Sequence, residues 1–235
     1  MSKGNASVRS ARPFGSLATA RLLVVGHDPR LQNSQAEADT AFFFDYLARP
    51  PSNQGSERAK RELAQATWDY VSHLAGRPVP LERLWVTNLC NEFLERPGRG
   101  TVLIPRPAAE RGLKQIEAAL RAGRFQALVS LSQQVFYWLC ELGFIDEQGD
   151  ERLVRYRQEA RPADRQAALG LYVAVGARRA PFLAVCGQTF SHQGLPVIPV
   201  VHIKMWPLKP RARRYEDPMA LAAANVRAAL AGADL

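Results

Sequence analysis

Short apolar runs alternate along this chain with segments of helical periodicity, and this alternation constrains the fold more than any other feature. Four runs have the length and apolar content of buried strands and occupy residues 21–27, 84–89, 127–131 and 197–202. Amphipathic patterns predict helices over residues 57–74, 110–122, 133–142 and 218–231. Strands that alternate with helices form a mostly parallel sheet covered on both faces. The sequence therefore predicts an α/β fold, a three-layer α/β/α sandwich with a mostly parallel central sheet.

Two other segments carry weaker patterns. The apolar runs at residues 171–175 and 182–186 flank a pair of arginines and suggest a hairpin. Pro199 lies inside the last predicted strand and favours an edge or irregular position, because proline donates no ladder hydrogen bond. In the final helix, Asp217 is the predicted N-cap and Pro218 the first helical residue.

Length and composition indicate the domain organisation. The chain has 235 residues, of which 47% are hydrophobic, enough for one α/β domain with a substantial core. We expect a single domain over residues 21–235, preceded by a loose, polar N-terminal arm over residues 1–20. No apolar stretch approaches the roughly 18 residues that a bilayer span needs, so we expect no membrane association. The sequence leaves the oligomeric state open, and we expect a monomer.

The charge balance and the cysteines indicate partners and compartment. There are 31 Lys and Arg residues against 22 Asp and Glu, a net charge of +9, which favours nucleic acid, and DNA in particular, through counterion release. Three cysteines without a C-x-x-C pair form no disulfide framework and indicate a reducing compartment, the cytoplasm. Residues 1–20 are rich in Ser and Arg and lack acids, so an organellar transit peptide remains an alternative.

Neither a cofactor nor a metal is expected. The sequence contains no G-x-G-x-x-G and no Walker motif, so a dinucleotide or P-loop site has little support. Cys90, Cys140 and Cys186 are widely spaced in apolar surroundings, where a buried, inert thiol is the usual role. The chemistry of any site must then come from ordinary side chains.

The first predicted strand ends in the sequence Gly26-His27-Asp28-Pro29, at the edge where parallel α/β folds bind ligands. Gly26 allows a close approach of backbone or ligand, and the proline biases Asp28 towards extended geometry. The motif therefore presents a carboxylate beyond the end of the sheet. Taken alone, an aspartate that caps the following loop is the simpler interpretation.

Further polar and aromatic candidates follow the other strands. Asn88 ends the second strand, and its amide both donates and accepts hydrogen bonds, as recognition of a base edge requires. His202 ends the last strand and can donate a hydrogen bond to a developing anion. Phe42, Phe43 and Phe44 can supply a stacking face. Taken singly, each residue has a structural alternative. Asn88 can hydrogen-bond a loop backbone, His202 can have a purely structural role at the end of its strand, and at least one Phe can belong to the core.

A basic segment follows His202 directly. Residues 204–214 read KMWPLKPRARR, with five basic residues, no acid, and Met205, Trp206 and Leu208 interleaved among them. Basic residues beside apolar ones suit a loop that contacts phosphates while it pushes between bases, although a solvated loop is the simpler interpretation. The candidate DNA-contacting residues are Lys204, Met205, Trp206, Lys209, Arg211 and Arg213.

The order of these motifs resembles that of the uracil-DNA glycosylase superfamily. In that family an opening strand ends in a G-x-D-P-type motif, a Phe follows, and an Asn ends the next strand. A final strand ends in His-Pro-Ser, before a loop that penetrates DNA. The matching elements span residues 21–208 of this chain and are Gly26-His27-Asp28-Pro29, Phe42 to Phe44, Asn88 and His202.

The resemblance implies two catalytic residues. Asp28 would orient or activate the hydrolytic water and stabilise positive charge on the sugar, with Gly26, His27 and Pro29 around the substrate. His202 would stabilise negative charge on the departing base. Cleavage of an N-glycosidic bond develops these two charges, so one carboxylate near the sugar and one donor near the base suit the reaction.

The resemblance also implies residues that bind the base and replace it in the helix. Phe43, or a neighbouring Phe, would stack on the extruded base, and Asn88 would read its edge. Met205 or Trp206 would fill the vacated stack. Extrusion costs a few kcal/mol, which phosphate contacts and such a wedge can offset.

Three functional hypotheses follow. The first is a DNA glycosylase-like enzyme that hydrolyses the N-glycosidic bond of a flipped damaged or deaminated base. The second is a non-catalytic member of the same fold that binds nucleic acid or nucleotides, because the last motif reads His202-Ile203-Lys204 in place of His-Pro-Ser. The third is an unrelated α/β hydrolase or transferase, although no G-x-S-x-G elbow supports a hydrolase.

Overall fold

The structure is a computed structural model. It describes the greater part of the chain, namely residues 11–27, 40–51, 55–92, 94, 100–146, 149–176, 181–208 and 210–232. Asp28, Pro29 and Lys209 lie outside the described residues, as does the side chain of Arg211.

Five strands form one mixed, mostly parallel sheet. In chain order they are β1 (Leu22–Gly26), β2 (Leu84–Asn88), β3 (Ala127–Leu131), β4 (Phe190–His192) and β5 (Leu195–Val200). The spatial order is β2-β1-β3-β5-β4, in which β4 alone pairs antiparallel. Every residue of β1, β2 and β3 is buried, as the continuous apolar runs of parallel strands require.

Helices surround this sheet. They are α1 (Asp45–Ala48), α2 (Gly55–Ala75), α3 (Arg106–Ala122), α4 (Gln133–Glu141), α5 (Glu151–Ala160), α6 (Asp164–Ala167) and α7 (Glu216–Ala229). The helix α2 packs against α7, α4 packs against α5, and both α4 and α7 contact β3 and β5. In the part of the chain that the structure describes, no helix combines the length and apolar character needed to cross a bilayer.

The α/β class and the main elements predicted from the sequence are confirmed. The strand predicted over residues 127–131 has those bounds, and β1 and β2 lie within their predicted ranges. The helix α2 begins two residues before its predicted start, and α3 begins four residues before. The early start of α3 places Pro107 in its first turn, where a missing N–H leaves no helical hydrogen bond unmade.

The hairpin expected over residues 171–186 is wrong. Leu171 and Ala174 form only isolated bridges, with Val102 and Pro162, and the segment Pro181–Ala184 is a 3-10 helix. The hairpin of this fold joins β4 to β5 through Gln193 and Gly194, which have φ values of 50° and 85°. Two central residues with positive φ favour the type I′ turn that matches strand twist. Apolar content alone did not distinguish these segments.

The last strand is not at the edge of the sheet, but Pro199 lies at a position of this strand that has no neighbouring strand on one side. The strand β5 lies between β3 and β4, but β4 begins at Phe190, opposite Val197, and does not extend past it along β5. Beyond that point, the backbone N–H of Gly187 donates to the Pro199 carbonyl at 2.7 Å. Pro199 therefore lacks an N–H on the side where no strand faces it, and no ladder hydrogen bond is lost.

The N-terminal part of the described chain is more structured than expected, and the last helix begins earlier than expected. Residues 11–20 are not loose, since Phe14 and Val86 exchange backbone hydrogen bonds of 2.8 and 2.9 Å. Residues 1–10 of the expected arm lie outside the described residues. The helix α7 begins at Glu216 with Tyr215 as N-cap, so Asp217 is not the cap. Asp217 lies in the first turn, where its charge still complements the helix dipole.

Gly112 lets α3 approach the end of β2, and its substitution tests that packing. A Cβ at Gly112 would overlap the backbone carbonyl of Leu89. We expect Gly112→Ala to lower the free energy of unfolding by about 2 kcal/mol, measured by urea denaturation, although alanine favours helices. The control is Gly55→Ala, at a helix position with nothing within 4 Å of the new Cβ. Equal stability of the two variants would contradict this packing.

Candidate functional site

Parallel strands bring four carboxyl ends to one edge of the sheet. Gly26 of β1 pairs with Asn88 of β2, and β1 lies between β2 and β3. The chain leaves β1 towards β2, whereas it leaves β3 towards β5, on the other side. A crevice opens where neighbouring connections diverge in this way, and such crevices bind ligands in open α/β sheets.

A cavity of about 450 Å³ lies at this edge. Residues that follow three different strands line it: His27 after β1, Ser132 and Gln134 after β3, and His202 and Lys204 after β5. Its volume is within the roughly 300–1,000 Å³ of ordinary small-molecule sites. The cavity thus joins His27 and His202, which are far apart in the sequence.

The electrostatic character of the cavity favours electron-rich ligands. Lys204 and Arg214 contribute positive charge, and none of the described lining residues is acidic. The N-terminus of α4 is also at the cavity and adds the positive end of a helix dipole. Three aromatic residues also line the cavity: Tyr172, Phe182 and Tyr215.

The tyrosines of the cavity are neutral. Burial raises the pKa of the Tyr172 phenol above its ordinary value, and the Tyr172 hydroxyl donates to the Ala160 carbonyl at 2.7 Å. Burial also raises the pKa of Tyr215. Both rings therefore offer aromatic surface rather than a phenolate base.

Gln134 connects the end of β1 to the cavity wall. Its side chain is 2% exposed, accepts a hydrogen bond from the Ile104 N–H at 2.6 Å, and donates to the Val102 carbonyl at 2.9 Å. Its amide nitrogen also lies 2.5 Å from Nε2 of His27. A buried amide with all of these contacts holds its neighbours in one arrangement.

His202 is held by the turn that it begins. It is the N-cap of the 3-10 helix Ile203–Met205, and its Nδ1 accepts a hydrogen bond from the Lys204 N–H at 3.1 Å. When Nδ1 accepts, the neutral ring carries its proton on Nε2. His202 is therefore oriented as an Nε2–H donor.

Ser132 has a backbone conformation that normally requires glycine. Its φ and ψ are 126° and 157°, and its N–H donates to the Val200 carbonyl at 3.1 Å. Its hydroxyl caps α4 by accepting from the Val135 N–H at 3.4 Å. Strain of this kind concentrates at ligand sites, and here it directs the start of α4 into the cavity.

Phe42 and Phe43 also have strained backbones, with φ values of 53° and 59°. A Cβ on Gly26 would run into the Phe42 ring and lie 2.7 Å from Oδ1 of Asn88, so this ring covers the ends of β1 and β2. Phe43 instead packs edge-on against Tyr46 at 6.2 Å. Of the three neighbouring phenylalanines, the structure therefore brings Phe42 rather than Phe43 to the strand ends.

Asn88 is beside this ring but not at the cavity. It is 2% exposed, and it is not among the described residues that line the cavity. Its backbone N–H donates to Oδ1 of Asn91 at 3.3 Å. Asn88 and Phe42 thus form a second cluster at the same sheet edge, adjacent to Gly26.

Some residues of the basic segment after His202 pack against the rest of the protein, and others are exposed. The Trp206 ring stacks on Tyr70 with centroids 5.2 Å apart and contacts His73 at 4.4 Å, so it anchors the segment to α2. Met205 lines the cavity, and Arg213 is exposed. Of the two expected wedge residues, Met205 is therefore the one at the cavity.

The sequence did not single out several cavity residues. Gln134 is among the polar residues 130–134 that the strand-end rule selects at the end of β3, but the rule does not indicate its contacts. Tyr172 and Phe182 come from irregular segments, where no periodicity points to a site. Arg214 belongs to the basic segment, but its spacing in the sequence did not indicate that it, rather than Arg213, lines the cavity.

The three cysteines form no disulfide and are buried, as their apolar surroundings indicated. Burial raises the pKa of the Cys186 thiol to about 12, so it is not a nucleophile. Among the described residues, no three His, Cys, Asp or Glu side chains are grouped to hold a metal ion.

No protein-family model matches the chain, and a search of curated proteins also finds no match.

Two substitutions at Ser132 separate strain from capping. Ser132→Gly relieves the strained backbone and loses little of the cap, so we expect the free energy of unfolding to rise by about 1 kcal/mol. Ser132→Ala keeps the strain and loses the cap, so we expect a fall of about 1 kcal/mol. Urea denaturation of both variants measures the two effects. Equal losses of stability in both would contradict the strained conformation.

Proposed function

We propose that the protein is a DNA glycosylase-like hydrolase that removes a damaged or deaminated base after the base leaves the helix. One observation carries the proposal: His202 and His27, which directly precedes Asp28, line one cavity that also takes in the basic segment at Lys204. That cavity has no acid among its described lining residues and has an aromatic wall. These properties suit an electron-rich, planar ligand attached to a phosphate backbone.

The proposed reaction uses two groups. Water adds to C1′ of the sugar as the bond to the base nitrogen breaks, and the electron pair of that bond leaves with the base. The Asp28 carboxylate stabilises the positive sugar and accepts a proton from the water. The Nε2–H of His202 stabilises the departing anion. The hydrogen bond from the Lys204 N–H to Nδ1 of His202 favours the tautomer with this proton on Nε2. The base is protonated by solvent after release.

The proposed base contacts lie on both sides of Gly26. Phe42 covers the strand ends there and is the proposed stacking residue. Asn88 supplies the amide that reads the base edge. For Asn88 to do so, Phe42 must shift, because its ring now lies against Gly26 beside Oδ1 of Asn88.

The proposed DNA contacts come from the segment after β5. Lys204 and Arg213 are exposed cations that can neutralise backbone phosphates, and Met205 is the proposed wedge.

We further propose that the helices form two layers on opposite faces of the sheet. Right-handed crossovers support this, since β1 to β2 and β2 to β3 move in opposite directions across the sheet. Such a three-layer arrangement is the one implied by the resemblance to uracil-DNA glycosylases.

The second candidate is a non-catalytic nucleic-acid-binding protein. The burial of Asn88 favours it, because a residue that is 2% exposed under a phenylalanine ring reads no base in this conformation. The cationic cavity and the basic segment serve this function equally well. The two candidates differ in whether a base is released.

Base release distinguishes the candidates. Oligonucleotides that carry uracil, hypoxanthine or other damaged bases are incubated with the protein, and strand cleavage at the abasic product is measured. We expect Asp28→Asn to lower the rate at least about a hundredfold, the magnitude typical of a group that acts on the reacting atoms. The control Asp69→Asn makes the same change at an exposed position of α2 and should retain the activity.

Two outcomes contradict the hydrolytic proposal. One is equal activity in Asp28→Asn and the wild type. The other is a folded wild type that releases no base from any of these oligonucleotides although it binds them. The second outcome would leave nucleic-acid binding without catalysis.

Salt dependence tests the DNA contacts. Removing one phosphate contact lowers the slope of log K against log salt concentration by about 1, so we expect this change for Lys204→Ala in fluorescence anisotropy titrations. Lys114→Ala removes an exposed lysine of α3 that does not line the cavity and should leave the slope unchanged. Identical slopes for both variants would show that Lys204 contacts no phosphate.

A further inference from the structure

We infer that Gln134 is a positioning residue that fixes His27 as the neutral tautomer with its proton on Nδ1. The inference deepens the proposed function, since it concerns a histidine of the same cavity. Two backbone groups set the orientation of the glutamine amide, and the amide in turn sets the tautomer of the ring.

The orientation of the Gln134 amide follows from its two backbone partners. The Ile104 N–H is a donor and lies 2.6 Å from Oε1. The Val102 carbonyl is an acceptor and lies 2.9 Å from Nε2. Reversing the amide would place a donor against a donor and an acceptor against an acceptor, in a side chain that is 2% exposed.

The His27 ring then has one compatible proton position. The amide nitrogen of Gln134 carries two hydrogens, one for the Val102 carbonyl and one for Nε2 of His27 at 2.5 Å. Nε2 must accept, so the ring proton is on Nδ1. A proton on Nε2 would face the amide hydrogen at this distance, and a buried contact of that kind costs more than the hydrogen bond is worth.

His27 and His202 are consequently set as opposite tautomers at one cavity. His202 accepts at Nδ1 and donates from Nε2, whereas His27 accepts at Nε2 and donates from Nδ1. Both are lining residues of the cavity.

Gln134 also ties the His27 ring to the wall of the cavity. Its partners Val102 and Ile104 belong to a segment whose neighbour Leu103 donates its N–H to the Gly170 carbonyl at 2.8 Å. The Tyr172 N–H donates to the Thr101 carbonyl at 2.8 Å in the same pairing. A substitution at Gln134 therefore affects both the ring and the segments that carry Thr101 and Tyr172 into the cavity.

Nitrogen NMR of the histidine rings tests the inference directly. The chain has four histidines, so a long-range ¹H–¹⁵N spectrum of the intact protein is sparse, and backbone-linked assignment identifies each ring. We expect the wild-type spectrum near neutral pH to show a protonated Nδ1 and an unprotonated Nε2 for His27. His202 is expected to show the reverse pattern. A protonated Nε2 on wild-type His27 overturns the inference without any variant.

Two substitutions extend the test. In Gln134→Glu a carboxylate oxygen faces Nε2, so we expect the His27 proton to move to Nε2. Gln134→Met removes the donor, and we expect both tautomers to be populated. The matched control is Gln133→Glu, which adds the same charge to the same cavity one residue earlier. It should leave the His27 tautomer unchanged.

The spectra also separate a positioning role from a merely structural one. If Gln134 only stabilises the fold, both variants lower stability while His27 keeps one tautomer, and that result overturns the inference. If Gln133→Glu moves the proton as much as Gln134→Glu does, the cavity charge sets the tautomer and the inference is also wrong.

The spectra contain no substrate, so this result stands apart from the proposed function. A protein that shows the expected tautomers but releases no base retains the inference and loses the hydrolytic proposal. If base is released, we expect Gln134→Met to lower kcat about tenfold or more, because small misplacements at a reacting centre have such effects. Unchanged kcat with a changed tautomer would show that the His27 proton position does not matter to the reaction.

Discussion

The parallel pairing of β1 with β3 determines where everything else at the site is placed. Val25 is opposite Ser130 in this pairing, so His27 and Ser132 emerge side by side at the carboxyl edge. The chain then turns towards β2 from one strand and towards β5 from the other, which leaves the crevice between them. The hydrogen bond between Gln134 and His27 links the segments that follow β3 and β1, and His202 reaches the same cavity because β5 pairs with β3 in parallel.

The rigid sheet also supports strain that the loops alone could not hold. Ser132, Phe42 and Phe43 have positive φ values, and each such residue costs about 1–3 kcal/mol. Their neighbours are the fully buried strands β1, β2 and β3, whose packing over-determines the local backbone. Of these residues, Ser132 brings a helix start and Phe42 brings an aromatic ring to the strand ends. Stability and site geometry therefore oppose each other at these positions.

Much of the fold could be predicted from the sequence because its signals are local. Four largely apolar runs and the periodicity of α2, α3 and α4 report burial directly, and strand ends gave His27, Asn88 and His202 as candidates. Other features depend on contacts between distant residues. The choice of Phe42 over Phe43, the packing of Trp206 on Tyr70, and the contacts of Gln134 arise only when α2, β1 and α4 meet. No spacing in the sequence contains that information.

Residues distant in the sequence form one cavity, and we propose that it receives a nucleobase from DNA. The most direct measurement is a crystal structure of the protein bound to an oligonucleotide with a damaged base on a 2′-fluorinated sugar, which resists cleavage. We expect an extruded base between Phe42 and His202, with the backbone phosphates along Lys204 and Arg213. A base that stays stacked in the oligonucleotide, or a strand bound at the opposite edge of the sheet, would contradict it.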